Sequence, residues 1–401
     1  MNSISSPPRR TRRPLVILVA LTSALLTALA GCGTGGSGDT GGSDADASEP
    51  IKIGVLLPYT GPFGLYGKPM EAALRARFDQ VDNKVAGRTV ELLFEDEATD
   101  AGTAVSKVTK LVDQDQVSAV VCCPTGAATL AVGPVLAERG IPQLGPIPNP
   151  SGLSKYATAA VAAPTAGHDA TKLGTYAVTT GKYQRAVVFA SDFSYGHEVA
   201  EGFAKGFTDA GGKVVKEVFA PLGTQDFGSY LSQTQDADVA FAGFAGADAI
   251  RFVQQYKQFG GDDRLPLIGH GPLVTELVLN QTGPSAVGVG AAFYYSSALD
   301  NPANAEFLDA MQAVNKQFVP SHFTAGAWAT GGVLIDAITR LKGDVSDTEE
   351  LARTIRATTI DAPWGELSFD KETGYAIAPT YFYEVTQTDG TLHHKIVEQI
   401  P

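Results

Sequence analysis

From Ile51 onward the chain alternates short apolar runs with segments in which apolar residues recur every three or four positions. A short apolar run predicts a buried strand, and the longer period predicts an amphipathic helix. Strands and helices in strict alternation favour parallel sheets with helices on both faces. The pattern therefore predicts an α/β protein.

The predicted elements fall into two similar sets. The first set has strands at 51–57, 89–94, 117–121 and 141–144, with helices at 67–84, 103–114 and 125–139. The second set has strands at 185–190, 213–219, 239–242 and 265–268, with helices at 167–180, 227–235 and 247–259 and another after Gly196. Three helices (305–317, 323–341, 347–357) and two strands (365–369, 380–385) follow. Because both sets have the same period, we expect two similar α/β lobes with Rossmann-like parallel sheets.

The first fifty residues have the pattern of processing signals rather than of a fold. Four arginines at positions 9–13 precede an apolar run, 15–30, which ends in Leu29-Ala30-Gly31-Cys32. This ending resembles a bacterial lipobox, so residues 1–31 are expected to be a signal peptide and Cys32 the acylated residue. The alternative is an uncleaved anchor with an incidental cysteine. The Arg12-Arg13 pair also resembles a twin-arginine export motif.

The segment that follows Cys32 is rich in Gly and Ser, and residues 32–49 are therefore predicted to form a flexible tether. A lipid on Cys32 and a tether would hold the folded part at the outer face of a membrane. The formal net charge is −13, and without the four arginines of the signal region 26 basic and 43 acidic residues leave −17. Such a charge argues against nucleic acid and anionic lipid as partners and leaves small molecules and proteins.

The remaining cysteines, Cys122 and Cys123, are adjacent at the end of an apolar run. Two interpretations stay open, a pair of buried thiols or a vicinal disulfide. Neither the spacing nor a nearby histidine favours a metal site, so no metal is expected.

The sequence contains neither a GxSxG nucleophile motif nor HExxH nor a P-loop, and segment 288–293 (GVGAAF) lacks the last glycine of a dinucleotide motif. No catalytic residue and no cofactor is therefore predicted. In open α/β sheets, ligands bind at the carboxyl ends of strands. Two such lobes facing one another favour a binding protein over an enzyme.

Several segments carry a family resemblance. The segment 51–62 (IKIGVLLPYTGP), followed by Tyr66-Gly67, resembles the start of type I periplasmic solute-binding proteins, in particular the leucine/isoleucine/valine-binding family of ABC importers. The similarity continues through 94–97 (FEDE), 139–142 (RGIP), 149–150 (NP), 192–196 (DFSYG), 239–243 (VAFAG) and 365–370 (GELSFD). It covers essentially the whole chain after the tether.

The resemblance implies two lobes joined by three crossover strands that close on a ligand. Lobe 1 would comprise 50–166 and 296–366, and lobe 2 would comprise 167–295 and 367–401. It also implies a monomer whose partners are a small-molecule ligand and the permease subunits of an ABC importer. A receptor subunit that reports the ligand to a membrane regulator is the alternative function.

The family's ligand positions can be transferred residue by residue. Tyr66 aligns with an aromatic that packs on the ligand, and Tyr195 aligns with one that closes on it from the second lobe. Thr125 and Gly126 stand where a helix N-terminus holds the ligand carboxylate. Pro148 and Asn149 align with the next carboxylate-binding loop. Phe244 or Ala245 falls where members of the family often carry a tyrosine.

The segment 269–272 (GHGP) departs from the family pattern, in which an acidic residue here pairs with the α-ammonium of an amino acid. His270 could instead donate a hydrogen bond to an anion or stack on a ring. A buried ammonium without a compensating charge is unfavourable. The ligand is therefore expected to be a branched-chain or aliphatic amino acid, with Asp248 or Asp226 supplying the charge, or an aromatic or aliphatic acid without an ammonium.

Overall fold

The computed structural model describes residues 49–233, 236–261 and 265–401. The strands are β1 (Ile51–Leu57), β2 (Lys84–Val85), β3 (Arg88–Asp96), β4 (Ala119–Val121), β5 (Gln143–Gly145), β6 (Ala159–Val161), β7 (Arg185–Ser191), β8 (Lys213–Ala220), β9 (Val239–Gly243), β10 (Leu267–His270), β11 (Gly290–Phe293), β12 (Ile360–Ala362), β13 (Gly365–Phe369), β14 (Ala376–Ile377), β15 (Thr380–Thr388) and β16 (Thr391–Ile400). The helices are α1 (Gly64–Asp79), α2 (Ala101–Asp113), α3 (Gly126–Glu138), α4 (Ala166–Thr179), α5 (Ser194–Asp209), α6 (Gly228–Leu231), α7 (Gly246–Gln258), α8 (Glu276–Thr282), α9 (Pro302–Val314), α10 (His322–Arg340) and α11 (Thr348–Arg356).

Strands β1 to β6 form one sheet in the order β2-β3-β1-β4-β5-β6, and every neighbouring pair is parallel except β2 with β3. The central strand β1 is an apolar run because helices cover both of its faces. Ile53 and Val55 share an apolar cluster with Met70 of α1, whereas Leu56 shares one with Leu111 of α2.

The second sheet has the order β16-β15-β11-β10-β9-β7-β8. Strands β7 to β11 are parallel to one another. Strand β15 pairs with β11 in antiparallel orientation, and β16 pairs with β15 in the same way. On one face, Phe203 of α5 stacks on Phe241 of β9 with ring centroids 4.2 Å apart. On the other face, Phe252 of α7 packs on Phe189 of β7 at 5.4 Å. The fold is thus mixed α/β with parallel sheets in two lobes, as predicted.

Strands β12, β13 and β14 form a small antiparallel sheet beside the first one. Tyr375 bridges to Val161 of β6, and the backbone N–H of Ala376 donates to the carbonyl of Ala163. Through these bonds the chain between β13 and β15 stays next to the first sheet.

The predicted strands are confirmed to within three residues, whereas several helix ends differ and the structure contains six further strands. The helix predicted over 67–84 starts at Gly64 and ends at Asp79, and the one predicted over 227–235 is the single turn Gly228–Leu231. The strands that the sequence did not predict are β2, β6, β11, β12, β14 and β16. Strand β16 is rich in polar residues and owes its conformation to nine residue pairs with β15, a tertiary effect that periodicity does not reveal.

Candidate functional site

A cavity of about 360 Å³ lies where loops at the carboxyl ends of both parallel sheets meet. This is where open α/β sheets bind ligands, and the volume is within the range of small-molecule sites. Its lining residues are Phe63, Thr99, Pro124, Thr125, Gly126, Ala127, Ile147, Pro148, Pro150, Ala166, Phe193, Ser194, Tyr195, Glu198, Leu222, Ala245, His270, Pro272, Phe293, His322 and Phe323.

The N-terminus of helix α3 forms one wall of the cavity. Thr125 is the N-cap residue, yet its side chain makes no capping hydrogen bond, and its hydroxyl lies 3.3 Å from Glu97 Oε1 instead. Helix geometry leaves the first-turn N–H groups without intrahelical acceptors. Position 126 favours glycine, because a Cβ there would lie 2.7 Å from Pro150 Cγ. This wall can accept an anion without a formal cation.

Glu97 lies behind Thr125 and is fully buried. Burial raises the pKa of its carboxyl to about 8, the Thr125 hydrogen bond opposes this effect, and Asp96 adds to it. Glu97 Oε2 has no hydrogen-bond partner among the described residues. The side chain is therefore protonated at neutral pH.

Aromatic and apolar side chains form the body of the cavity. Phe293 stands at the end of β11, and Phe323 lies in the first turn of α10. Phe323 stacks on Tyr66 with ring centroids 3.8 Å apart, which holds its ring in place. This surface suits an apolar or planar ligand body.

Tyr195, His270 and His322 supply polar atoms on an otherwise apolar wall. The Tyr195 hydroxyl lies 2.9 Å from His270 Nδ1, and His270 Nε2 is buried without a partner. Burial lowers the pKa of both histidines to about 3, with His270 also contributing to the shift of His322. Both rings are therefore neutral at physiological pH, so they act as hydrogen-bonding groups and not as cations.

Glu198 of α5 is the carboxylate among the described lining residues. Burial raises its pKa to about 6, against the lowering effect of hydrogen bonds from the backbone of Gly167 and Ser151. Asp248 and Asp226, which the sequence suggested as partners for an ammonium, are engaged elsewhere. Asp248 pairs with Arg251, and Asp226 accepts from the backbone N–H of Gly228.

Six of the predicted site residues line the cavity, namely Thr125, Gly126, Pro148, Tyr195, Ala245 and His270. The other three lie outside the lining. Tyr66 is buried under Phe323, Asn149 donates its amide to the carbonyl of Ile147 at 2.7 Å, and Phe244 packs on Phe252 at 4.5 Å.

Sequence reasoning missed Glu97, Glu198, Phe293, His322 and Phe323. The position of Glu97 directly after a strand was a usable signal, because strand ends of parallel sheets carry binding loops. His322 and Phe323 begin a helix far along the chain, and nothing local in the sequence connects them to the site.

Cys122 and Cys123 are joined by a disulfide, the second of the two interpretations that the sequence left open. Both sulfur atoms are buried near the Glu97 carboxylate, with all the candidate ligand atoms within 4.8 Å of one another. Since both sulfurs are bonded to each other, neither offers a thiolate to a metal.

The predicted signal peptide, Cys32 and all but the last residue of the tether lie outside the described residues. Within the described ranges, no helix has the length and apolar content needed to cross a membrane.

Two α/β sheets with a cavity between their strand ends define a two-lobed binding protein of the type I periplasmic fold. The periplasmic binding protein family model matches residues 50–391, and this chain belongs to that family.

Known proteins agree with this assignment. Leu/Ile/Val-binding protein homolog 6 of Brucella melitensis is 27% identical over 365 residues, covering 89% of this chain and 93% of that protein. An ABC transporter substrate-binding protein from Sphaerobacter thermophilus has 32% identity and a TM-score of 0.84 over 88% of this chain and 98% of its own. A solute binding protein of an ABC transporter from R. palustris, solved with 4-hydroxybenzoate, has 25% identity and a TM-score of 0.83 over 88% and 97% of the two chains.

Proposed function

We propose that this protein captures a small carboxylate with an apolar or aromatic body and delivers it to an ABC importer. The observation that carries the proposal is the uncapped N-terminus of α3 at one wall of a cavity whose other walls are mainly aromatic and apolar. The names of the similar proteins support both the ligand class and the delivery to an ABC importer, since they denote binders of amino acids or an aromatic acid and ABC transporter components.

The ligand carboxylate would bind at Thr125 and Gly126. A helix N-terminus favours an anion through its free N–H groups and its dipole, typically by about 0.3–1 kcal/mol for the dipole alone and up to about 2 kcal/mol when partly buried. The lining holds no lysine or arginine among the described residues, so an anion there must rely on these N–H groups and on neutral donors such as the Thr125 hydroxyl.

The ligand body would lie between Phe293, Phe323 and Tyr195, next to Pro148 and Ala245. His270 Nε2 is buried without a partner, which favours a ligand that carries a hydrogen-bonding group such as a hydroxyl at this end. A hydroxylated aromatic acid meets both requirements. Tyr66, Asn149 and Phe244 would then support the lining without touching the ligand.

A branched-chain amino acid is the second candidate, and Glu198 is the observation that favours it. An α-ammonium needs an acidic partner in a desolvated site, and Glu198 lines the cavity. Two backbone hydrogen bonds already occupy its carboxylate, which weakens this candidate relative to an organic acid.

Titration calorimetry of the purified protein tests the ligand class. The panel is benzoate, 4-hydroxybenzoate, 4-methylvalerate, L-leucine and L-isoleucine. We expect 4-hydroxybenzoate to bind more tightly than benzoate because it offers a partner to His270. Stronger binding of L-leucine than of 4-methylvalerate, which lacks only the ammonium, would favour the amino acid. The absence of binding by all five would overturn the proposal.

Membership of the family implies an extracytoplasmic location, and we propose that a lipid on Cys32 anchors the protein there as a monomer. In this proposal the lobes are 50–166 with 296–377 and 167–295 with 378–401, and the three passages of chain between them form the hinge. The last boundary lies after β14 and not at 366, because β13 and β14 lie beside the first sheet. Cys32→Ser should move the protein from the membrane fraction of the source cells to the soluble fraction. Retention of the variant in the membrane fraction would contradict acylation at this residue.

A further inference from the structure

The environment of Glu97 is unusual for a carboxylate. It follows strand β3, its side chain is fully buried, and its neighbours include Thr125 and the Cys122–Cys123 disulfide. The adjacent acids have partners, because Glu95 pairs with Lys107 and Lys110 while Asp96 accepts backbone N–H groups. Among the described residues, none forms an ion pair with Glu97. Burial without a cation favours the protonated form.

The protonation state of Glu97 determines what the Thr125 hydroxyl can do. A protonated Glu97 can donate its proton to Thr125 Oγ1, and the Thr125 hydroxyl proton is then available to an acceptor in the cavity. An ionised Glu97 only accepts, so the hydroxyl must turn toward it at the observed 3.3 Å. In that state Thr125 has no proton to offer a bound anion.

Charge acts in the same direction as hydrogen bonding. An anion in contact with Thr125 Oγ1 would lie on the order of 6 Å from the Glu97 carboxyl, given the 3.3 Å separation and a hydrogen bond of about 2.8 Å. Like charges at this distance in a desolvated site repel each other strongly.

Resting on the proposed function, we infer that Glu97 is a positioning residue that keeps a proton so that Thr125 can donate to the ligand carboxylate. Ligand capture is therefore coupled to the protonation of Glu97. The residue never touches the ligand and acts through Thr125.

The coupling has a defined pH window. Below about pH 8 Glu97 is protonated and the dissociation constant Kd of the ligand is constant, whereas above it ligand binding must take up a proton. The Kd then rises by about tenfold between pH 7 and pH 9.

Other groups near the site titrate outside this window. Burial raises the pKa of Glu198 only to about 6 and that of Tyr195 well above its ordinary value, while His270 and His322 have a pKa of about 3. Beside Glu97, hydrogen bonds hold the pKa of Asp96 low despite partial burial, and the Cys122–Cys123 disulfide does not titrate.

The test measures the Kd of benzoate by calorimetry between pH 6 and 9, in two buffers with different ionisation enthalpies. Benzoate carries one carboxylate that stays ionised throughout; L-leucine replaces it if benzoate does not bind. We expect the wild type to lose about tenfold in affinity between pH 7 and 9 and to take up a proton near pH 8. Glu97→Gln, whose amide is a neutral donor, should show neither effect. Glu95→Gln, near the end of β3 and two residues before Glu97, is the matched control and should keep the wild-type profile.

The outcomes separate the two proposals. A flat wild-type profile with measurable binding overturns the role of Glu97 and leaves the proposed function intact, and so does a Glu97→Gln profile equal to the wild type. Failure of the whole ligand panel at every pH overturns the proposed function and the coupling with it.

If Glu97→Gln does not fold, ¹³C NMR of the wild type labelled at glutamate carboxyls replaces it. We expect one glutamate carboxyl to titrate near pH 8 and its pKa to rise when ligand is added. If every glutamate titrates below pH 7, the inference is wrong.

Discussion

At the scale of single residues, burial sets the charge of the site. Glu97, His270 and His322 are all buried and all neutral at physiological pH, although a glutamate is ordinarily ionised there. A cavity lined in this way offers a ligand directed hydrogen bonds and a fixed shape, and the N-terminus of α3 adds a favourable field for an anion.

Tyr195 is expected to contribute both its ring and its hydroxyl to binding. Tyr195→Ala should weaken binding of the best panel ligand by about 2–3 kcal/mol, because it removes an aromatic wall. Tyr195→Phe should lose about 1 kcal/mol, since the 2.9 Å contact with His270 Nδ1 disappears. Calorimetry measures both, and a Tyr195→Ala affinity within twofold of the wild type would remove this residue from the site.

The buried acids predict a fall in stability above neutral pH. Burial raises the pKa of Glu97 to about 8 and that of Asp169 to about 7. Between about pH 6.5 and 8 the folded chain holds protons that the unfolded chain has released, so the free energy of unfolding falls as pH rises. For Glu97 alone this fall is about 2 kcal/mol. Below pH 6.5 the buried histidines have the opposite effect, because the unfolded chain binds protons that the folded one does not.

Thermal unfolding at several pH values checks this expectation. The wild-type Tm should decline from pH 6.5 to 8, and Glu97→Gln should reduce the decline, whereas Glu95→Gln should not. A Glu97→Gln variant that declines as steeply as the wild type would show that Glu97 is already ionised in the folded state.

At the scale of elements, helices α4 and α5 approach closely because glycines lie between them. A Cβ on Gly206 would overlap the carbonyl of Thr171, and one on Gly202 would overlap that of Gly167. These helices position two parts of the cavity wall, because their first residues, Ala166 and Ser194, line the cavity. Their packing therefore affects the site as well as stability.

Gly206→Ala should destabilise the protein by about 1–3 kcal/mol or more, because the backbone of α4 must move to admit the methyl group. Gly102→Ala in the first turn of α2 is the matched control. Its Cβ meets only Asp100 Oδ1 at 3.4 Å, so alanine should be neutral or stabilising there. Denaturant unfolding compares them, and equal stability of Gly206→Ala and the wild type would contradict the close packing.

At the scale of the whole molecule, the cavity is built from loops at the strand ends of both sheets. Thr125 and Phe323 come from helices beside the first sheet, whereas Tyr195 at the start of α5 and His270 at the end of β10 come from the side of the second sheet. A ligand held by both sides links two units that unfolding would separate, so it should stabilise the entire fold.

Ligand binding should therefore raise the Tm. At a ligand concentration of about 100 times Kd, the free energy of unfolding increases by about 2.7 kcal/mol, which corresponds to a rise of a few degrees. Scanning fluorimetry with benzoate measures the shift, and benzamide, which has the same ring without the charge, is the control. An equal shift with both compounds would argue against recognition of the carboxylate at α3.

By itself the sequence determined the fold class and the places where binding loops occur. Apolar runs such as 51–57 and the helical periodicity between them suffice, because burial of strands and helix faces is a local pattern. The motif 192–196 indicated Tyr195 through its resemblance to the family, and this residue lines the cavity at the strand-end edge where parallel sheets bind ligands.

Only the tertiary structure decided which of these residues meet. Tyr66 was expected to be a ligand contact but is buried under Phe323, a residue more than 250 positions away, and His322 joins His270 from a helix that no local motif marks. The neutrality of Glu97 likewise depends on burial beside Thr125, Cys122 and Cys123 rather than on its neighbours in sequence. Long-range packing sets desolvation, and desolvation sets the chemistry of a titratable group, so a pattern read along the chain cannot supply it.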